Sequence, residues 1–250
     1  MIEGVVFDLG ETLLHFDGDW PDIFTRSRRA LHLHLVAAGL DLPFEPFSET
    51  FRQRLETAQE ARLDDHIERP VRAILEEVLA EFGHRQVDPA VIEQGLAVLF
   101  ALSEDHWQPA PGLDQVLDWV RAQGWRLGII SNASDEDNVL RLVDKIDNHH
   151  LFDPVLVSAA VGVRKPAPEI FNRLLDQWGR PPDRLVMIGD TLAADILGAQ
   201  RAGLHQIWLR TAEDRPDNQA AADSITPEAS AQDLRQVPAV LRRMAGMGDG

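Results

Sequence analysis

The sequence predicts an α/β fold: a doubly wound parallel sheet whose first crossover carries a helical insertion. Three observations predict it. Five short apolar runs, "GVVF" (4–7), "RLGIIS" (126–131), "PVLVS" (154–158), "LVMIG" (185–189) and "QIWLR" (206–210), are nearly continuous rather than alternating. That pattern belongs to strands covered on both faces. Helical patterns separate the last four runs, and strand alternating with helix builds a sheet from βαβ units. The gap from Phe7 to Arg126 far exceeds the roughly thirty residues a βαβ unit needs, so the first crossover must hold an insertion.

Within the insertion the spacing predicts four helices. The first follows Trp20, with Pro21 at N1 and Gly39 as its stop; the second runs from about Ser48 to Leu63. The third starts at Pro70 and stops at Gly83, and the fourth has Asp88 as N-cap, Pro89 at N1 and an end near Ser103, all on ordinary capping chemistry. Four helices with short connections suggest a small bundle. The core resumes near Pro111-Gly112 with a helix over Leu113–Gln123. Further helices are expected over Asp135–Ile146, Pro166–Trp178 and Ala193–Ala202, the last stopped by Gly203. "TAEDRPDNQAAADS" reads as a loop, Asp233–Met244 as a last helix and "GMGDG" as a frayed tail. The expected division is a core of residues 1–15 and 108–250 and a helical cap of 16–107.

Hydrophobic residues make up 44% of the 250, enough for a sizeable core. The net charge of −17 argues against nucleic acid or an anionic membrane as partner. No cysteine is present, which excludes disulfides, thiolate metal sites and cysteine nucleophiles. Met1 leads almost directly into "GVVF", without a basic leader or long apolar segment, so a cytoplasmic protein is expected. Nothing in the sequence sets an oligomeric state.

Open α/β sheets bind ligands at the carboxyl ends of their strands. Asp8 ends the first strand, Ser131 and Asn132 the second and Asp190 the fourth, while Lys165 lies in the loop after the third. Each alone has an ordinary structural explanation, as a cap, a turn or a solvated charge. Together they bring two carboxylates, a hydroxyl, an amide and a cation to one edge. "FDLGETL", "IISNAS", "VGVRKPAPEIF" and "VMIGDTLAADILGAQRAG" resemble the four motifs of the haloacid dehalogenase superfamily, in order, and the insertion resembles the helical cap of its first subclass. The resemblance implies a Rossmann-like core and a reaction through a phosphorylated Asp8. It implies Mg²⁺ held by Asp8, the Gly10 carbonyl and Asp190, with Asp195 holding a metal-bound water. Lys165 would neutralise phosphate and nucleophile together, Ser131 and Asn132 would hold phosphate oxygens, and Thr12 would brace the aspartyl loop.

At Gly10 the sequence departs from that pattern. The family's usual residue there is an aspartate that protonates the leaving group and activates water. The phosphonate-hydrolysing branch needs a cap lysine, and the two lysines, Lys145 and Lys165, lie outside the insertion. A metal-free 2-haloacid dehalogenase lacks the first carboxylate of the fourth motif, which is here as Asp190. Glu11 points the other way if the segment is extended, and His15 is the nearer candidate acid. "DDHIER" (64–69) offers Asp65, His66 and Arg69 as specificity candidates. His32 and His34 stand two apart on a predicted helix, where side chains diverge, and "NHH" (148–150) reads as a solvated connection. The expected activity is Mg²⁺-dependent hydrolysis of a small phosphomonoester from a phosphorylated metabolite. The alternatives are a non-catalytic or very slow phosphate- and metal-binding module and, more distantly, a 2-haloacid dehalogenase.

Overall fold

The structure, a computed structural model, describes residues 1–247. The tail expected over 246–250 lies outside the described residues from 248 on. The elements run β1 (Gly4–Phe7), β2 (Leu14–Phe16), α1 (Trp20–Ala37), α2 (Phe44–Asp65), α3 (Val71–Glu81), α4 (Pro89–Glu104), β3 (Trp107–Pro109), α5 (Leu113–Ala122), β4 (Arg126–Ser131), α6 (Glu136–Val143) and β5 (Phe152–Val157). After them come α7 (Ser158–Val161), α8 (Pro168–Trp178), β6 (Leu185–Gly189), a π-helical turn (Leu192–Ile196), α9 (Leu197–Ala202), β7 (His205–Leu209), α10 (Pro216–Ala221), β8 (Ala229–Ala231) and α11 (Val237–Met244).

Six parallel strands form the main sheet in the order β5-β4-β1-β6-β7-β8. The chain winds from the central β1 out to β5, then returns to β6 on the other side. The switch point of the sheet therefore lies between β1 and β6, where α/β sheets open a crevice for ligands. Successive strand residues face opposite layers. Val5, Phe7, Val186 and Ile188 join one apolar cluster with α5, α6 and α11. Val6, Leu185 and Met187 join another with α8 and α9. Both faces are thus covered, which is why the strands read as continuous apolar runs.

Between β2 and β3 the four helices pack around their own cluster, centred on Leu31, Phe47, Phe51, Leu75 and Val78. Burying each such aromatic or aliphatic side chain is worth about 1.5–3 kcal/mol. The two histidines of "LHLHL" are used structurally: His32 bonds the Leu42 carbonyl at 2.8 Å and His34 the Val91 carbonyl at 3.0 Å. β2 and β3 pair antiparallel, Leu14 with Pro109 and Phe16 with Trp107, so the insert leaves and rejoins the core at one ribbon.

Three differences from the sequence reading have local causes. α2 starts at Phe44 rather than Ser48, because Pro46 sits in its first turn, where the missing N–H costs nothing. The polar stretch after β7 contains α10, pinned by Asn218: its amide accepts from Leu192 N–H (2.8 Å) and donates to the Asp190 and Ala212 carbonyls (2.9 and 2.8 Å). β8, "ASA", adds a sixth strand at the sheet edge through backbone pairing with β7. Among the described residues no helix is long and apolar enough to cross a membrane.

Candidate active site

Asp8 leaves the sheet at the switch point, its N–H bonded to the Ile188 carbonyl of the neighbouring strand (2.9 Å). Its Oδ1 accepts from Lys165 Nζ at 2.6 Å, and the same ammonium donates to the Ile130 carbonyl at 2.5 Å. Lys165 is held at its backbone by Asn132, whose Oδ1 accepts from the lysine N–H (2.8 Å) and whose Nδ2 donates to the lysine carbonyl (2.9 Å). Asn132, expected as a phosphate ligand, is therefore also a clamp on Lys165. Asp195 Oδ1 forms a second ion pair with Nζ at 2.7 Å, and its Oδ2 accepts from Thr191 N–H (2.9 Å). The side chain of Asp195 lies over Gly189, where a Cβ would come within 2.3 Å of it; only glycine admits that approach. Asp190 Oδ2 accepts from Arg215 Nη1 at 3.2 Å.

Asp8, Asp190 and Asp195 offer carboxylate oxygens that all lie within 4.8 Å of one another. Burial pushes the Asp8 carboxyl up to about 6; Asp195 adds to the rise, while Lys165 opposes it. Burial, then Asp8 and Asp195, hold Asp190 well above the usual carboxylate range, with Arg215 pulling the other way. Burial would lower Lys165, but Asp195 and Asp8 outweigh it and keep the ammonium above its ordinary value. Three carboxylates thus share one buried ammonium and a half-exposed guanidinium, and positive charge is in deficit. An all-oxygen donor set with that deficit fits a hard divalent cation such as Mg²⁺.

A pH dependence follows. Asp8 titrates at about 6 against an ordinary value of 3.8, so across that window the folded chain binds more protons than the unfolded one. Stability contributed by this proton is lost as pH rises through the window, and a cation competes with it. Mg²⁺ affinity should strengthen as pH rises through about 6. Titration calorimetry in two buffers of different ionisation heat should show proton release on binding. An affinity flat from about pH 5 to 7 would contradict it.

A cavity of about 720 Å³ opens above these groups, between the sheet edge and the insert. Its wall includes Asp8, Gly10, Ser131, Asn132, Lys165, Asp190 and Asp195, together with His66 from the insert. Four expected residues are absent from that wall. Thr12 is buried beneath the loop and its hydroxyl has no partner among the described residues, so the expected bracing bond is not formed. His15 sits in β2 with Nδ1 buried and unpartnered. Asp65 and Arg69 pair with each other at 2.6 Å, and Asp65 caps the Ile67 N–H.

Glu11 turns away, its Oε1 accepting from Phe16 N–H at 3.2 Å. The left-handed backbone of this loop falls on Glu11, at φ 57°, and Gly10 is not in that region. Gly10 instead faces an indole: a Cβ there would meet Trp107 Cη2 at 3.2 Å.

Three functional neighbours had no signal in the sequence. Trp107 and Arg215 reach the cavity from a ribbon and a polar loop. Glu68, just before α3, is buried against the core. It accepts from Ser158 Oγ (2.7 Å) and Arg164 Nη1 (3.1 Å), beside a bridge between Ile67 and Val163. The insert is thereby latched to the loop that carries Lys165.

Residues 2–203 match the family model for haloacid dehalogenase-like hydrolases. A glyceraldehyde 3-phosphate phosphatase of Methanothermobacter thermautotrophicus is 29% identical over 84% of this chain and 87% of its own length. A phosphoserine phosphatase of Thermus thermophilus is 30% identical over 57% of this chain and 55% of its own. Among solved structures, a 2-haloacid dehalogenase from Pseudomonas syringae pv. Tomato DC3000 superposes with a TM-score of 0.64 at 26% identity, covering 97% of this chain and 99% of that one.

Proposed function

The chain belongs to the haloacid dehalogenase-like hydrolases, and from that premise we propose that it is a cytoplasmic, Mg²⁺-dependent phosphatase that hydrolyses a small phosphomonoester through a phospho-Asp8 intermediate. The observation that carries the reading is the buried Asp8 with Lys165 at 2.6 Å and two further carboxylates beside it. In this reading Asp8 attacks phosphorus, forming an acyl phosphate that water then hydrolyses. Lys165 offsets the repulsion between carboxylate and phosphate, and Asn132 keeps the ammonium aimed at both. Ser131, on the same wall, donates its hydroxyl to a phosphate oxygen. Asp8, Asp190 and Asp195, with the Gly10 carbonyl, would hold the cation, which supplies further neutralisation of the transferring group. The helices of residues 16–107 act as the cap over the core of 1–15 and 108–250. His66 is the specificity candidate that reaches the cavity.

Asp190 is what favours a phosphatase over a metal-free dehalogenase: without a cation, a third carboxylate only raises the others' pKa. The test is release of inorganic phosphate from 4-nitrophenyl phosphate by the purified chain, with Mg²⁺ and in chelator. Turnover that needs the cation, and an Asp190→Asn variant whose residual activity rises with excess Mg²⁺, is the expected result. Halide release from a 2-haloacid in chelator would move the assignment to dehalogenase. Absence of any turnover would leave a phosphate- and metal-binding module.

A further inference from the structure

The insert side of the cavity is mostly apolar. Ile23 and Phe24 of α1, Leu63 of α2 and Phe100 of α4 face it, with Trp20 and Trp107 at the ribbon. Trp20, Phe24 and Leu63 are also among the exposed large apolar residues of the described chain, at 47%, 36% and 74%. Trp20 packs on Phe16, but the exposure of Phe24 and Leu63 is unexplained by the fold, because each could have been polar without loss to the core. The insert's polar side chains on this wall are Ser27, Gln59, Arg62, His66 and Ser103; of these Arg62 is paired with Glu68 and the Ser103 hydroxyl donates to the Phe100 carbonyl. A small polar phosphate would leave most of a 720 Å³ chamber to water, whereas pockets of this size and lining enclose ligands of drug-like bulk.

A second observation concerns the leaving group. Gly10, two residues past Asp8, has no side chain, and the atoms nearest its missing Cβ are Trp107 ring carbons at 3.2 and 3.7 Å. Trp107 is fixed there edge-on to Phe16 and Trp20, which stack on each other with centroids 3.9 Å apart. At Gly10 the wall is thus carbon, and the residue itself offers no proton donor. The wall is also a rigid aromatic corner of the kind that flat rings pack against.

Resting on the phosphatase reading above, we propose that the natural substrate is an aryl phosphomonoester: a phosphate on a phenolic oxygen whose apolar ring system fills the chamber. In the first step an Asp8 oxygen bonds to phosphorus and the phosphorus–aryl oxygen bond breaks. The electron pair leaves on the aryloxide, which takes its proton from solvent. Water then cleaves the acyl phosphate, returning Asp8 and inorganic phosphate. Phenols ionise near pH 10 and alkanols closer to water's value of about 15.7, so only the former depart readily without an acid.

The experiment compares kcat/KM for four substrates with the Mg²⁺-loaded chain. Acetyl phosphate reports the phosphate site alone. 2-Naphthyl against phenyl phosphate varies apolar bulk at constant leaving-group chemistry, and phenyl against cyclohexyl phosphate varies the leaving group at similar size. Expected are a preference for naphthyl over phenyl of about tenfold or more, as extra apolar groups in a pocket give, and for phenyl over cyclohexyl of roughly 10²-fold or more, the low end of what a general acid contributes. Phe24→Ser and Leu63→Ser alter exposed side chains and should fold; each should lower the naphthyl-to-phenyl ratio. Equal rates on naphthyl and phenyl, equal rates on phenyl and cyclohexyl, or ratios unmoved in both variants would overturn the assignment while acetyl phosphate turnover preserves the phosphatase reading. No turnover of acetyl phosphate would remove both.

Discussion

Asp8→Asn abolishes phosphate release, by on the order of 10⁴–10⁶-fold, while the chain stays folded. The amide keeps the shape of the carboxylate but has no oxygen able to form the acyl phosphate. Folding is spared because the position is costly in the wild type: burial already pushes this carboxyl up to about 6, and a neutral amide escapes that penalty. Stopped assays for inorganic phosphate, with circular dichroism on the same sample, test it. A folded variant that releases phosphate at the wild-type rate would mean that another group attacks.

Lys165→Met removes both activity and much of the stability. The ammonium is buried and contacts two carboxylates, at 2.6 and 2.7 Å. Taking one partner from such a group strands the others, at about 3–5 kcal/mol. The direction with pH is fixed by the raised carboxyls. Asp8 and Asp190 already sit above their ordinary values and rise further without the lysine, so protonation relieves the strain. The melting temperature of the variant should fall short of the wild type most near pH 8 and least near about pH 5. Excess Mg²⁺ should recover part of the loss. A deficit that is constant with pH would show that Lys165 matters for packing rather than charge.

The sheet was legible because its strands are buried on both faces, which leaves runs such as "LVMIG" with no polar interruption. β8 was not, since "ASA" carries no β-branched or aromatic residue and owes its strand to pairing with β7. α10 was hidden for a similar reason: its polar sequence has no periodicity, and Asn218 makes the bonds that seat it. Within the site, Asp8, Lys165 and Asp190 could be found because strand ends converge by topology, and Asp195 through the resemblance of the motif that holds it. What each neighbour does with its bonds could not. Asn132 spends its amide on the lysine backbone, the Thr12 hydroxyl finds no partner among the described residues, and Trp107 arrives opposite Gly10 only through the ribbon. Those outcomes depend on distances of a few ångströms between segments far apart in the chain.

The β2–β3 ribbon has a consequence for how such a protein changes over generations. Phe16 and Trp107 are paired neighbours, so to the core everything between them is one loop with closed ends. Loop length enters the free energy only logarithmically, and the insert has an apolar cluster of its own. Helices can then be lengthened, replaced or borrowed from a cousin with little effect on the sheet that holds Asp8 and Lys165. Selection for a new substrate can act on the insert while the reaction chemistry is inherited unchanged. The Glu68 contacts to Ser158 and Arg164 mark where that independence ends: a transplanted insert must bring an acid to the same place or leave an arginine beside Lys165 without its counter-ion.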